Sequence, residues 1–249
     1  HCGYVNYRGQ WTPRLPLFAM RQMVKRINRL FYDTHGKSFI RWHCSNQILV
    51  PVMSFININW DGENYASGPL RVSEFYSKLL NEERLQAQHT GVPFGFAPDL
   101  LPEFDGAYAP TPASVRDMMG LFMIHDSTAS PAHSAHDSLI RFLQDKRFGV
   151  ELANKQVLYY WNNDPRLKVS PAAVKPILHF GQDGGLLVLF NWSDDPVDAE
   201  VRLDPARLGL GGNLAVRDLV SEMECPLKDG TLRLPILPRD LRMLQLKCK

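Results

Sequence analysis

The chain has 249 residues and a mass of 28.4 kDa, with 45% hydrophobic and 22% charged residues, a balance that excludes a disordered or fibrous chain. Its 28 Lys and Arg against 26 Asp and Glu give a formal charge of +2, and the basic residues are scattered, so nothing asks for nucleic acid as a partner. No run of about 18 apolar residues is present, so no membrane span is expected.

Residues 2 to 7 (CGYVNY) read as a short strand, and the RGQWTPRLP that follows reads as a proline-marked loop. From Leu17 to Tyr32 the positions Phe18, Met20, Met23, Val24, Ile27, Leu30 and Phe31 recur at helical spacing, and Gly36 supplies a stop. Phe39 to His43 is a second strand. Ser54 to Glu63 (SFININWDGE) is a third, with Ile56, Ile58 and Trp60 alternating with Asn57, Asn59 and Asp61 before Gly62 breaks the run. A helix is predicted from about Val72 to Gln88, and a fourth strand over Val92 to Ala97. A long loop rich in proline and acid follows, then a short helix near Val115, a fifth strand over Gly120 to His125 and a helix over His136 to Gln144. This alternation points to parallel βαβ units belonging to part of a (β/α)8 barrel, over residues 1–150. A complete barrel typically needs about 250 residues, so the expectation is either a partial barrel in this chain or an N-terminal half of the same protein outside this sequence.

From about Val150 the rhythm changes to seven short strands separated by turn signals such as QDGG, SDDP, LGGN and KDG. The expected fold class is therefore α/β plus all-β, a partial barrel followed by a β-sandwich over 151–249.

Several motifs carry a family resemblance: GYVNY (Gly3 to Tyr7), RWHCS (Arg41 to Ser45), NWDGENY (Asn59 to Tyr65) and TGVPFGFAPDLLPE (Thr90 to Glu103). On these the first part resembles the glycoside hydrolase family 123-like proteins, a group with a (β/α)8 barrel and an accompanying β-sandwich. LLVLFNWSDDPVDAEVRL and VRDLVSEM look like the sandwich that follows the barrel in many glycosidases. The resemblance implies an acidic turn at a strand end, as at Asp61 and Glu63. Two departures stand out: Asn6 occupies a place where an acid is expected, and the chain has no adjacent Asp-Glu pair.

Glycoside cleavage uses two carboxyl groups, about 5 to 5.5 Å apart for retention and about 6.5 to 9.5 Å for inversion. Asp61 and Glu63, two apart on one strand face, are the candidate catalytic pair; the plain alternative makes one a cap and the other an ion-pair partner. By alternation Asn57, Asn59, Asp61 and Glu63 share a face expected to look into the barrel, and Trp60 shares the oily face expected to meet the helices. His43, Asn59, Tyr65, Glu103, His125 and Asp126 are candidate substrate-binding residues around the same mouth. Trp11, Trp42 and Phe94 offer further aromatic faces. No metal is expected, because no HExxH-like spacing occurs, and His133 with His136, like Asp105, reads as surface loop. A copper-binding amino terminus at His1 has no other support, and no cofactor is expected. Cys225 and Cys248 can pair across strands of the last segment, and the four cysteines, with Cys2 and Cys44, form no metal knuckle. Asn191, Trp192 and Ser193 fit a glycosylation sequon.

The functional expectation is a glycoside hydrolase-like protein acting on a carbohydrate, in an extracellular or periplasmic setting. The alternative is a non-catalytic carbohydrate-binding or structural fragment of a larger barrel protein.

Overall fold

A computed structural model describes residues 3–14, 16–43, 48–67, 72, 74–104, 109–131, 136–211 and 214–248. His1, Cys2, Cys44, Asp105 and His133 lie outside the described residues.

The chain opens on an antiparallel hairpin of β1 (Gly3–Val5) and β2 (Trp11–Pro13), so Trp11 sits in a strand rather than the predicted loop. Asn6 shapes its turn: the side-chain oxygen accepts from the N–H groups of Arg8 and Gln10, each at 3.0 Å. Helix α1 (Leu17–His35) follows, closed by Gly36 in the left-handed conformation, as predicted for that stop. Then come β3 (Arg41–His43), α2 (Val50–Met53), β4 (Ile58–Asp61), α3 (Asn64–Ser67), α4 (Glu82–Gln88), β5 (Ala97–Leu100), α5 (Pro112–Met123), β6 (Thr128–Ala129) and α6 (Asp137–Phe148). β3, β4, β5 and β6 pair in that order into one parallel sheet, and among the described residues the sheet does not close into a barrel.

Three predicted elements differ. The Val72 to Gln88 helix is a 3-10 turn over Tyr76–Lys78 and the short α4, started by the Asn81 side chain accepting from the Arg84 N–H. Over Val92 to Ala97 there is a 3-10 turn, and the strand begins only at Ala97. Gly120 to His125, predicted as a strand, is the last turn of α5 and the bend after it. A buried helix and a buried strand present the same unbroken apolar run, and here a capping box of Thr111 and Ser114, with Pro112 at the first helical position, commits the segment to helix from upstream.

The remaining strands are antiparallel: β7 (Gln156–Tyr159), β8 (Leu167–Ser170), β9 (Val174–Gly181), β10 (Gly184–Asn191), β11 (Val197–Leu203), β12 (Leu214–Asp218), β13 (Glu224–Cys225), β14 (Thr231–Ile236) and β15 (Leu241–Cys248). Of these, β8 and β13 escaped the sequence pattern. They form a six-stranded sheet, β13-β12-β15-β10-β9-β7, and a three-stranded sheet, β14-β11-β8, that pack face to face around an apolar cluster including Leu187, Leu189, Val201 and Leu232. Cys225 and Cys248 are free. They lie on strands flanking β12 on either side, and two strand spacings of about 4.8 Å exceed the roughly 7 Å reach of a disulfide.

Every residue of β10 is buried because the larger sheet is covered twice. Its second face carries Ile177, Val188, Phe190 and Met243 into a core shared with Leu100, Val115, Met119 and Phe122 from the parallel-sheet region. Gly120 of α5 makes that contact possible: a Cβ there would stand 2.4 Å from a Phe190 ring carbon. Polar ties run along the same junction. Arg116 pairs with Asp240 at 2.6 Å and Lys175 with Glu82 at 2.8 Å, and the Trp192 indole N–H donates to the Ser77 carbonyl at 3.0 Å. Asn191, the sequon residue, is fully buried, and its side-chain amide donates to the carbonyls of Asp195 and Leu237, so the folded chain does not present it for glycosylation.

Candidate active site

The two faces of the parallel sheet are chemically distinct, and register assigns each side chain to one of them. Trp42, Asn59, Pro98 and their two-residue successors Asp61 and Leu100 share one face; Arg41, His43, Trp60, Asp99 and Thr128 share the other. The first face meets the helices. Trp42 packs beside Val24 of α1 and Ile40, while Leu100 and Ala129 join the core with α5. Asn59 and Asp61 therefore turn toward α4, and Trp60 turns to the open face, the reverse of the expected orientation. Ile56, Ile58 and Trp60 suggest an oily side for β4, but the apolar contacts of this sheet with the helices come from Trp42 and Leu100 on the opposite parity.

On the helix side, Asn59, Asp61, Asn64, Arg84 and His89 line a small cavity of about 90 Å³. The side-chain Oδ1 atoms of Asn59, Asp61 and Asn64, and Nδ1 of His89, are buried there without a hydrogen-bond partner among the described residues. Burial pushes the Asp61 carboxyl up to about 7, against the opposing pull of the Gly62 N–H and Arg84. His89, fully enclosed, is held down to about 3. Gly62 ends the strand because its backbone passes against the Leu101 carbonyl, where a Cβ would stand 1.8 Å from the oxygen. Tyr65 is buried in the core, edge-on to Tyr76 at 5.5 Å, with its phenol pushed up to about 12 by burial.

On the open face, Asp99 organises the centre. It is nearly fully buried, pairs with the Arg41 guanidinium, and accepts from the hydroxyls of Thr128 at 2.8 Å and Ser130 at 2.6 Å. Arg41 lies over the Trp60 ring at 4.3 Å, and His43 meets the edge of the same ring at 5.2 Å. At the carboxyl end of β4, Glu63 approaches His43 with Oε1 3.7 Å from Nε2. Glu103 completes the group. Burial and the Glu63 charge raise its carboxyl above the usual range, with His43 opposing. Its backbone is pinned by the buried Tyr76 phenol, which donates to the Glu103 carbonyl at 2.5 Å and accepts from the Glu103 N–H at 3.0 Å.

His43, Glu63 and Glu103 are thus brought together, while Asn59 and Asp61 stand behind them on the helix side. His125 and Asp126 are at the other end. They follow α5, which runs back against the strands, so they sit near the amino end of β6. His125 is enclosed, with Nδ1 2.7 Å from the Leu121 carbonyl and Nε2 3.0 Å from the Tyr160 hydroxyl, and burial holds it down to about 4. Arg41 and Asp99 were missed in the sequence. Their only signal is an acid and a base on the same face of two strands that flank β4, and seeing it requires the register to be known. Phe94 is exposed in the 3-10 turn before β5, and His136 contacts the Pro110 carbonyl at 2.8 Å.

No model of a known protein family matches the chain, and no curated protein matches it in sequence. Solved structures do. A maltogenic alpha-amylase from Thermotoga neapolitana superposes with a TM-score of 0.53 at 12% identity, over 96% of this chain and 60% of that one. A GH27 β-L-arabinopyranosidase from Geobacillus stearothermophilus in complex with arabinose gives 0.54 at 15% identity, over 91% and 62%. The wild-type form of that enzyme gives 0.54 at 14% identity, over 90% and 60%. The chain therefore has a glycosidase-like fold, and it spans about three fifths of the length of these neighbours.

Proposed function

We propose that the chain is the working part of a glycoside hydrolase, with its site on the open face of the parallel sheet at the strand carboxyl ends. The observation that supports this best is the gathering of Glu63, Glu103 and His43 beside the Arg41–Asp99 pair on one face of a glycosidase-like fold. In this reading the parallel sheet is part of a (β/α)8 barrel over 1–150, and the antiparallel sheets are the accompanying β-sandwich over 151–249. The motif resemblance to the family 123-like proteins falls in the same region, and the arabinose-bound neighbour fits a carbohydrate as substrate.

The chemistry follows from the two carboxyl environments. Glu103, raised by burial, keeps a proton to a higher pH and serves as general acid toward the leaving oxygen. Glu63, the more exposed of the two with an imidazole beside it, serves as the ionised partner that attacks the anomeric carbon or activates water. Arg41, held by Asp99, keeps spare N–H donors for sugar hydroxyls. Asp61 supports the strand end from behind.

The test is turnover on a panel of aryl glycosides, including N-acetylhexosaminides, by the unmodified chain and by Glu103→Gln. Loss of the acid is expected to slow substrates with poor leaving groups by about 100-fold or more and to spare those with good ones. Absence of turnover across the panel would overturn the hydrolase assignment, and saturable sugar binding without turnover would favour the non-catalytic alternative.

A further inference from the structure

A second cavity lies near the amino end of β6. It has a volume of about 200 Å³ and is bounded by Asp126, Arg147 and Phe148 on one side, Lys155 at the rim, and His179 and Leu186 from β9 and β10 on the other. This is room for roughly half a dozen waters, or one small organic molecule.

His179 is the telling residue. It is only 3% exposed, yet neither ring nitrogen has a hydrogen-bond partner among the described residues. Buried polar atoms are ordinarily paired, so an imidazole with both nitrogens unmatched and facing a cavity marks a place for something that hydrogen-bonds. Burial, with Lys155 and Arg147 close by, holds its pKa down to about 3, so at neutral pH the ring offers one N–H donor and one bare acceptor nitrogen. A hydroxyl, which both donates and accepts, matches either nitrogen.

The remaining charges fix the sign of the ligand. Arg147 is spent on Asp126 at 2.6 Å and on the Ser127 carbonyl. Lys155 stands 3.9 Å from the same Asp126 oxygen and His179 3.6 Å, so one carboxylate faces two cations and a neutral ring. One positive charge is left over, and it sits on the half-exposed Lys155 at the entrance. Phe148 on one side and Leu186 on the other add apolar surface to the lining.

We propose that this cavity binds a short hydroxycarboxylate, with the carboxylate at Lys155, the hydroxyl at His179 and the carbon chain against Phe148 and Leu186. The proposal is independent of the glycosidase reading, because the cavity shares no residue with Glu63, Glu103 or His43.

Calorimetric titration with glycerate, and with glycerol and propionate as probes lacking the charge and the hydroxyl, tests it on the intact chain. Glycerate is expected to bind saturably and at least about tenfold more tightly than either control, and Lys155→Gln, a rim change outside the core, to weaken it about tenfold. The His179 ring resonances are expected to shift on glycerate binding. No saturable binding, equal affinity for glycerol or propionate, or unchanged affinity in Lys155→Gln with a silent His179 would each overturn the proposal.

Discussion

At Asp61 a charge-bearing side chain ends a strand yet points into a small cavity on the helix side, and its protonation is set by partial burial there. Its folded pKa of about 7 lies above the unfolded value near 3.8, so the folded state holds a proton that the unfolded state has already released. Stability therefore falls as pH rises from about 4 to 7 and is flat above. In urea unfolding between pH 4 and 8, the unmodified chain is expected to lose on the order of 1 to 3 kcal/mol relative to Asp61→Asn, which cannot titrate. A constant difference between the two would show that Asp61 is solvated. The sequence marked this residue and its neighbour Glu63 correctly as strand-end acids. It could not assign their faces, because a four-residue strand with Ile58 on one parity and Asn59 buried on the other has no dominant oily side. Asp99 is illegible for a related reason: its partners, Arg41 on β3 and Thr128 and Ser130 at β6, come from two other segments, and only the register unites them.

At the scale of elements, the contact of α5 with β10 decides how the parallel-sheet region and the antiparallel sheets share a core. Helix propensity alone would make Gly120→Ala stabilising by about 1 kcal/mol. The added Cβ meets Phe190 at 2.4 Å and Leu241 at 3.1 Å, and overpacking of this kind costs about 1 to 3 kcal/mol, so net destabilisation is expected from the shift in urea midpoint. An increase in stability would mean that α5 rides off the sheet. This same helix was half hidden in the sequence. GLFMIH has the continuous apolar character of a buried strand, and the helical signal lay upstream in Thr111, Pro112 and Ser114. The antiparallel strands were more legible, because LLVLFN and its turn-bounded neighbours are long enough to declare themselves, whereas the two-residue β13 is not.

For the whole molecule, pH dependence below neutrality is a contest between two kinds of buried group. His89, His125 and His179 are held at about 3, 4 and 3, below their unfolded value near 6.5, so the stability they carry is complete above pH 6.5 and is lost as pH falls. Asp61 and Asp117, raised to about 7 and about 6, act in the opposite sense over the same range. The raised Glu103 carboxyl acts in the same sense as the two aspartates, so the net slope is a difference between opposed sets. Removing one imidazole tips that balance: His179→Gln is expected to lose less stability than the unmodified chain as pH falls from 6 to 4, read from urea midpoints. An equal loss in the two proteins would contradict the burial of His179.

The account of function stands on which face of the parallel sheet does the work, and two neighbouring acids on one strand end separate the possibilities. The direct measurement is kcat/KM on the best aryl glycoside of the panel for Glu63→Gln and Asp61→Asn side by side, each checked for an unchanged fold. The open-face site predicts that Glu63→Gln loses about 100-fold or more while Asp61→Asn stays within about tenfold of the unmodified chain. Loss confined to Asp61→Asn, with Glu63→Gln fully active, would contradict it and move the chemistry to the helix side.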